Sequence, residues 1–241
     1  MQKVRSLFFS LTTLGIAGFT IVASAQAQVI DAANDFLSTY TAGAKNPDLD
    51  VLQTNVTLLP NSTFSFTGTL AGNIGTTPGA LYVFGLDRGQ GTARFNQGTT
   101  PIGPKVLFDA VVILRPDGTG AVNDFINNVQ TNLAAGSLTI SGASFTGSVP
   151  LNLLPSTGRP ADQYTFDFWP RVGLGNNNQV ADFAPDSNNA RISVAAAPEP
   201  GSVALLTFPA FLSLGILTIK RTKAANRARC IAPTNEEGNT E

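Results

Sequence analysis

Two short apolar runs, ALYVFGL at 80–86 and VLFDAVVIL at 106–114, limit what this chain can fold into more than any other feature. Each is almost continuous in apolar residues, too short for a typical helix, and rich in β-branched and aromatic side chains. That is the pattern of a central strand covered on both faces. Around them the sequence alternates. Leu52, Val56 and Leu58 stand among polar neighbours, as do Phe64, Phe66 and Leu70, and the intervening LPNST carries turn residues, which predicts a strand, a turn and a strand. In RPDGTG at 115–120, Pro116 fixes φ and Gly118 accepts a positive φ, so the stretch is a turn. SLTIS at 137–141, SFTGSVPL at 144–151, QYTFDFW at 163–169 and ARISVAA at 190–196 predict further strands. AVNDFINNVQTNLA at 121–134 places Phe125, Ile126, Val129 and Leu133 at helical spacing, and predicts one short helix although its asparagines oppose it. No repeat of fixed period is present, which argues against a solenoid or propeller. The expected fold is all-β, an antiparallel β-sandwich of jelly-roll-like type over residues 28–194, with a barrel as the alternative.

Chemistry in this segment is sparse. The chain contains no histidine, its only cysteine is Cys230, and no glutamate occurs between residues 28 and 197. The usual catalytic triads, zinc sites and most general bases are therefore missing, so no cofactor is expected and the chain reads as a non-enzyme. GASFT at 142–146 lacks the second glycine of a nucleophile elbow around Ser144, and GQGTAR at 89–94 has Arg94 where a dinucleotide loop needs its third glycine. Aspartates are the remaining acidic groups. Asp48 and Asp50 in NPDLD, and Asp182 and Asp186 in ADFAPDSNN, could offer oxygen ligands to calcium, but neither stretch has EF-hand spacing and turn roles explain them equally well. A glycosidase-like secreted hydrolase using paired aspartates is the alternative function. With two lysines, six arginines and twelve aspartates, residues 28–197 are mildly acidic, which argues against nucleic acid as a partner. In QYTFDFW, alternation puts Tyr164, Phe166 and Phe168 on one face and Trp169 on the other with Thr165 and Asp167; the first set reads as core, and Trp169 as structural or as part of a sugar-stacking surface.

Both ends look specialised. Lys3 and Arg5, an apolar run from Leu7 to Ala23, and small residues ending in Ala25-Gln26-Ala27 make residues 1–27 a secretory signal peptide, with cleavage after Ala27 or alternatively Ala25. Residues 195–200 read as a linker ending in Pro198, Glu199 and Pro200. Gly201 to Ile219 then contains 19 residues without a charge, enough for a helix of about 28 Å against a hydrocarbon core of about 30 Å. Lys220, Arg221 and Lys223 follow in a basic tail, 220–241, that would stay in the cytoplasm.

Pro-Glu-Pro, an apolar segment and a basic cluster in that order resemble the PEP-CTERM sorting signal of Gram-negative bacteria. The resemblance covers Pro198 to about Lys223. It implies export through the general secretory route, membrane contact through residues 201–219 before processing, and recognition by an exosortase-type membrane processing enzyme. It further implies a destination at the cell surface or in the extracellular matrix, commonly in bacteria that make exopolysaccharide. The tail AANRARCIAPTNEEGNTE is longer than the family usually carries, so a plainly membrane-anchored surface protein is the other reading. LPSTG at 154–158 matches a sortase pattern but lacks an apolar segment directly after it, and reads as a loop. With DLDVL near its start and GSVPLNLLP before a late aromatic strand, the middle segment is loosely similar to CBM9-like and DOMON-like sandwiches, a likeness of fold that does not by itself give function. The expected function is a structural, adhesive or polysaccharide-associated module.

Overall fold

The computed structural model describes residues 28–96 and 101–197. The expected signal peptide, Pro198 to Pro200, the apolar segment 201–219 and the basic tail lie outside the described residues. Among the described residues twelve strands follow one another as β1 (Val29–Ile30), β2 (Val51–Leu59), β3 (Thr63–Leu70), β4 (Ala80–Asp87), β5 (Ala110–Leu114), β6 (Gly120–Asp124), β7 (Val129–Asn132), β8 (Leu138–Ser141), β9 (Ser144–Pro150), β10 (Thr165–Val172), β11 (Ala190–Arg191) and β12 (Ser193–Val194). They form two sheets, one in the order β1-β2-β3-β9-β8 with β12 added beside β2, the other in the order β11-β10-β4-β5-β6-β7. All pairings are antiparallel except β12 with β2. Among the described residues no helix is long and apolar enough to cross a membrane.

The inner faces meet in an aromatic core. Phe64 and Phe66 from β3 and Phe145 from β9 face Phe84 from β4 and Phe166 and Phe168 from β10, with Phe66 and Phe84 ring centres 5.0 Å apart and Phe84 and Phe168 4.5 Å apart. Such contacts contribute about 0.5–1.5 kcal/mol each beyond the area they bury. The period-2 reading of QYTFDFW agrees with this layout: Tyr164, Phe166 and Phe168 belong to the inner core and Trp169 to a second cluster on the opposite face. The two apolar runs supply β4 and β5 near the middle of their sheet, although β5 begins only at Ala110; Phe108 and Thr92 bridge two loop segments before it.

Three expectations need correction. The helix expected over 121–134 is a hairpin, β6 to β7. Asn128 takes a positive φ of 53° in the turn, and Asp124 accepts hydrogen bonds from the backbone of Ile126 and Asn127, so side chain and backbone close the turn that a helix would need to pass through. Leu52 does not join Val56 and Leu58 on the inner face. A bulge between Val51 and Gln53 puts Val51 into the core along with Val56, one residue out of simple alternation. Jelly-roll alternation is replaced by a meander in which β4, β5, β6 and β7 are successive neighbours in one sheet. Tight turns at 115–119 and 125–128 leave no length for a crossing to the other sheet.

Arg88, directly after β4, is fully buried. Its Nε donates to Asp109 Oδ1 at 2.7 Å, and its Nη2 and Nη1 donate to the two oxygens of Asp124 at 2.9 and 3.0 Å. Nη1 also donates to the Pro155 carbonyl at 3.1 Å, and the Thr157 hydroxyl donates to Asp109 Oδ2. One cation thus joins the ends of β4, β5 and β6 to the LPSTG segment, which is a loop between β9 and β10. Burial alone would lower the Arg88 pKa, but the hydrogen bonds to Asp124 and Asp109 outweigh it and hold it above its ordinary value. Burial would likewise raise Asp124, yet the bonds from Arg88 and Asn127 keep that carboxyl well below the usual range.

Replacing Asp109 with alanine is expected to cost about 3–5 kcal/mol of stability in urea denaturation, because it leaves Arg88 buried with an incomplete set of partners. The pH dependence has a definite sign. A carboxyl whose folded pKa is depressed contributes stability above its unfolded pKa, about 3.9, and loses it as pH falls toward the folded value. The stability difference between wild type and Asp124→Asn should therefore be full near neutrality and shrink as pH drops below about 4, measured by thermal melts across that range.

Candidate functional site

Two places combine ligand-type chemistry with groups whose needs the fold does not meet. The first is a groove on the outer face of the β4–β5–β6–β10 sheet. Residues 83, 85, 111, 113, 123, 167, 169 and 171 alternate onto this face because their neighbours fill the inner core. Loop residues Phe95, Ile102, Val106, Phe108, Val180 and Phe183 cover much of it and pack on Val83, Val111, Ile113 and Trp169. Gly85 makes room for Trp169: a Cβ there would lie 2.5 Å from the indole Cη2 and 3.1 Å from the Phe108 Cβ. What remains open is a cavity of about 370 Å³ lined by Trp169, Phe108, Phe125, Arg94, Arg171 and Asn123 among others.

Its polar groups are poorly paired. The Trp169 Nε1 and the Asn123 Oδ1 are buried and have no hydrogen-bond partner. Arg94 lies over the Phe125 ring at 4.3 Å and donates through Nε to the Phe108 carbonyl. Arg171 donates to the carbonyls of Gly173 and Asn176 and to Gln179 Oε1, all neutral acceptors, and burial lowers its pKa to about 10. Neither arginine belongs to any of the ion pairs among the described residues. None of the described lining residues is a carboxylate. Trp169 itself is 2 % exposed, so its indole is a wall of the groove and the exposed aromatic is Phe125.

The second place gathers Asp31 and Asp35, from the segment before β2, and Asp182 and Asp186, from the loop after β10; one oxygen from each lies within 4.8 Å of the others. Asp182 is held by the Val51 N–H on Oδ2 and the Phe183 N–H on Oδ1. Burial, then Asp186 and Asp35, push the Asp31 pKa up to about 7, and burial, then Asp31 and Asp35, push Asp182 up to about 8. Asp167, fully buried beside them on β10, is raised well above the usual range by burial and then by Asp31, Asp182 and Asp186.

Of the aspartates singled out in the sequence, Asp182 and Asp186 come together and Asp48 and Asp50 do not. Asp48 accepts from the Thr77 backbone and hydroxyl and from Tyr82 OH, which makes it a buried anchor for the 71–79 connection. Asp50 accepts from the Asn34 N–H and holds the segment before β2. Ser144 sits in β9, with its hydroxyl bonded to Thr69. Asp31, Asp35, Arg94 and Phe125 were not anticipated. For the first two a signal existed: DAAND at 31–35 and DFAPD at 182–186 share the spacing D-x-x-x-D.

No protein-family model and no curated protein matches this chain.

Gly85→Ala should drive the indole off its seat, lowering stability by about 1–3 kcal/mol and shifting the emission of Trp169, the only tryptophan in the chain.

Proposed function

We propose that this protein is an exported, non-enzymatic β-sandwich module of the cell surface or extracellular matrix, and that its outer-face groove binds acidic polysaccharide. The observation that carries this reading is the pair of guanidinium groups, Arg94 and Arg171, on one groove with no carboxylate partner. A uronic acid unit suits them: its carboxylate meets the arginines, its hydroxyls satisfy the Trp169 Nε1 and Asn123 Oδ1, and its apolar ring face lies against Phe125. The volume, about 370 Å³, is near the lower end of the range for small-ligand sites, roughly 300–1,000 Å³, and fits one or two sugar units of a longer chain. With no carboxylate among the described lining residues, this groove lacks the acid and base that glycoside hydrolysis needs, which supports binding over turnover.

Delivery rests on the sequence. Residues 1–27 act as a signal peptide, and Pro198, Glu199 and Pro200 with the apolar and basic residues after them form a PEP-CTERM-type address read by an exosortase-type enzyme.

Two experiments test the proposal. Titrating the protein with polygalacturonate should change Trp169 emission, dextran should not, and Arg94→Ala should weaken polygalacturonate binding about tenfold, the loss of one charge-assisted contact. Equal response to both polymers, or to neither, overturns the groove assignment. For delivery, mass spectrometry of the exported form should find Gly201 to Glu241 removed, and alanine at Pro198, Glu199 and Pro200 should leave the chain in the membrane. A mature protein that keeps Gly201 to Glu241 supports a plain anchor instead.

A further inference from the structure

We infer that Asp31, Asp35, Asp182 and Asp186 form a binding site for Ca²⁺ that fastens the segment before β2 to the loop after β10. The inference is independent of the groove and of any sugar bound there. Four oxygens within 4.8 Å of one another match a calcium shell, where oxygens about 2.3–2.6 Å from the ion stand at most about 5 Å apart on opposite sides. A magnesium shell at about 2.1 Å would need them within about 4 Å. The donor set is all carboxylate, with no histidine or thiol, which selects a hard cation.

Charge balance points the same way. Among the described residues, no lysine or arginine is among the largest influences on Asp31, Asp167, Asp182 or Asp186, and the ion pairs lie elsewhere. Buried carboxylates are ordinarily paired or bound to metal.

A separate observation points to a cation at this place. Asp167 has no exposed surface, neither of its oxygens has a hydrogen-bond partner, and the charges it meets are those of three members of the cluster, Asp31, Asp182 and Asp186. Asp31 Oδ2 and Asp35 Oδ1 are likewise buried without a partner. A divalent cation supplies what these acceptors lack, with Asp167 behind the ligands as balancing charge.

The position gives the ion a structural task. Residues 31–46 are held to the rest of the fold by few bonds, among them Leu37 N–H to the Ala181 carbonyl, Thr41 N–H to the Asn178 carbonyl and Asn34 N–H to Asp50. An ion shared by Asp31, Asp35, Asp182 and Asp186 adds a cross-link between the same two segments.

The test uses the full chain, purified in detergent, stripped with EDTA and dialysed against calcium-45 at about 1 mM, within the affinity range of extracellular calcium modules. The expected result is a single ion retained per chain, weakly displaced by magnesium. Asp31→Asn combined with Asp186→Asn, at a half-buried and an exposed position, should lower affinity about tenfold or more while circular dichroism stays that of wild type. Asp117→Asn, at an exposed turn, should leave binding unchanged. Limited proteolysis gives a second readout: calcium should protect residues 31–46 in wild type and not in the double variant. Absence of bound calcium-45, or binding equal in wild type and double variant, overturns the assignment and leaves a cluster that shares protons.

Discussion

A single buried guanidinium sets the frame for the rest. Arg88 stands just after β4, where the chain leaves the sheet for the 88–109 connection; its partner Asp109 immediately precedes β5 and its partner Asp124 closes β6. An arginine without exposed surface is tolerable only with all its donors met, and the two carboxylates with the Asp109 and Pro155 carbonyls meet them from three separate stretches. Charge, rather than apolar area, thus fixes where the long connection begins and ends. The same fixed ends determine how residues 91–96 and 101–108 lie over the outer face and so where the groove is.

The domain has two apolar cores that share one sheet. Inward residues of β4, β5 and β10 pack on the first sheet, and outward residues of the same strands pack under loops. This explains why ALYVFGL and the AVVIL of β5 are continuous in apolar residues, as a strand covered on both faces must be. It also shows why the outer side has a groove at all: loops cover a sheet face less completely than a second sheet does. The polar atoms left over, on Trp169 and Asn123, fall in that incomplete cover.

The strands were legible in the sequence because period-2 alternation and turn residues are local signals. Failures arose where a local signal was ambiguous or where the deciding partner is distant. Phe125, Ile126, Val129 and Leu133 fit a helical face by spacing, but Phe125, Ile126 and Val129 are exposed on a hairpin and make no such face. The bulge at Val51 depends on how β2 pairs with β3, which no window of sequence contains. The acidic cluster was half legible. Asp182 and Asp186 stood out beside a turn, whereas Asp31 and Asp35 acquire meaning only when the segment before β2 runs back along residues 178–182. The groove was the least legible, since Arg94 and Phe95 belong to a stretch without periodicity and Phe125 fits a helical spacing.

The last two strands have a mechanical consequence. β11 lies in one sheet and β12 in the other, with Ile192 alone between them and its side chain in the core. β12 runs parallel to β2, and the Ala195 N–H continues the ladder to the Leu58 carbonyl at 2.9 Å. A pull on the chain beyond residue 195 therefore loads the β12–β2 hydrogen bonds first, then the seat of Ile192, and only afterwards the main strands. The far end of the fold acts as a fuse, able to give way under tension while the aromatic core stays shut.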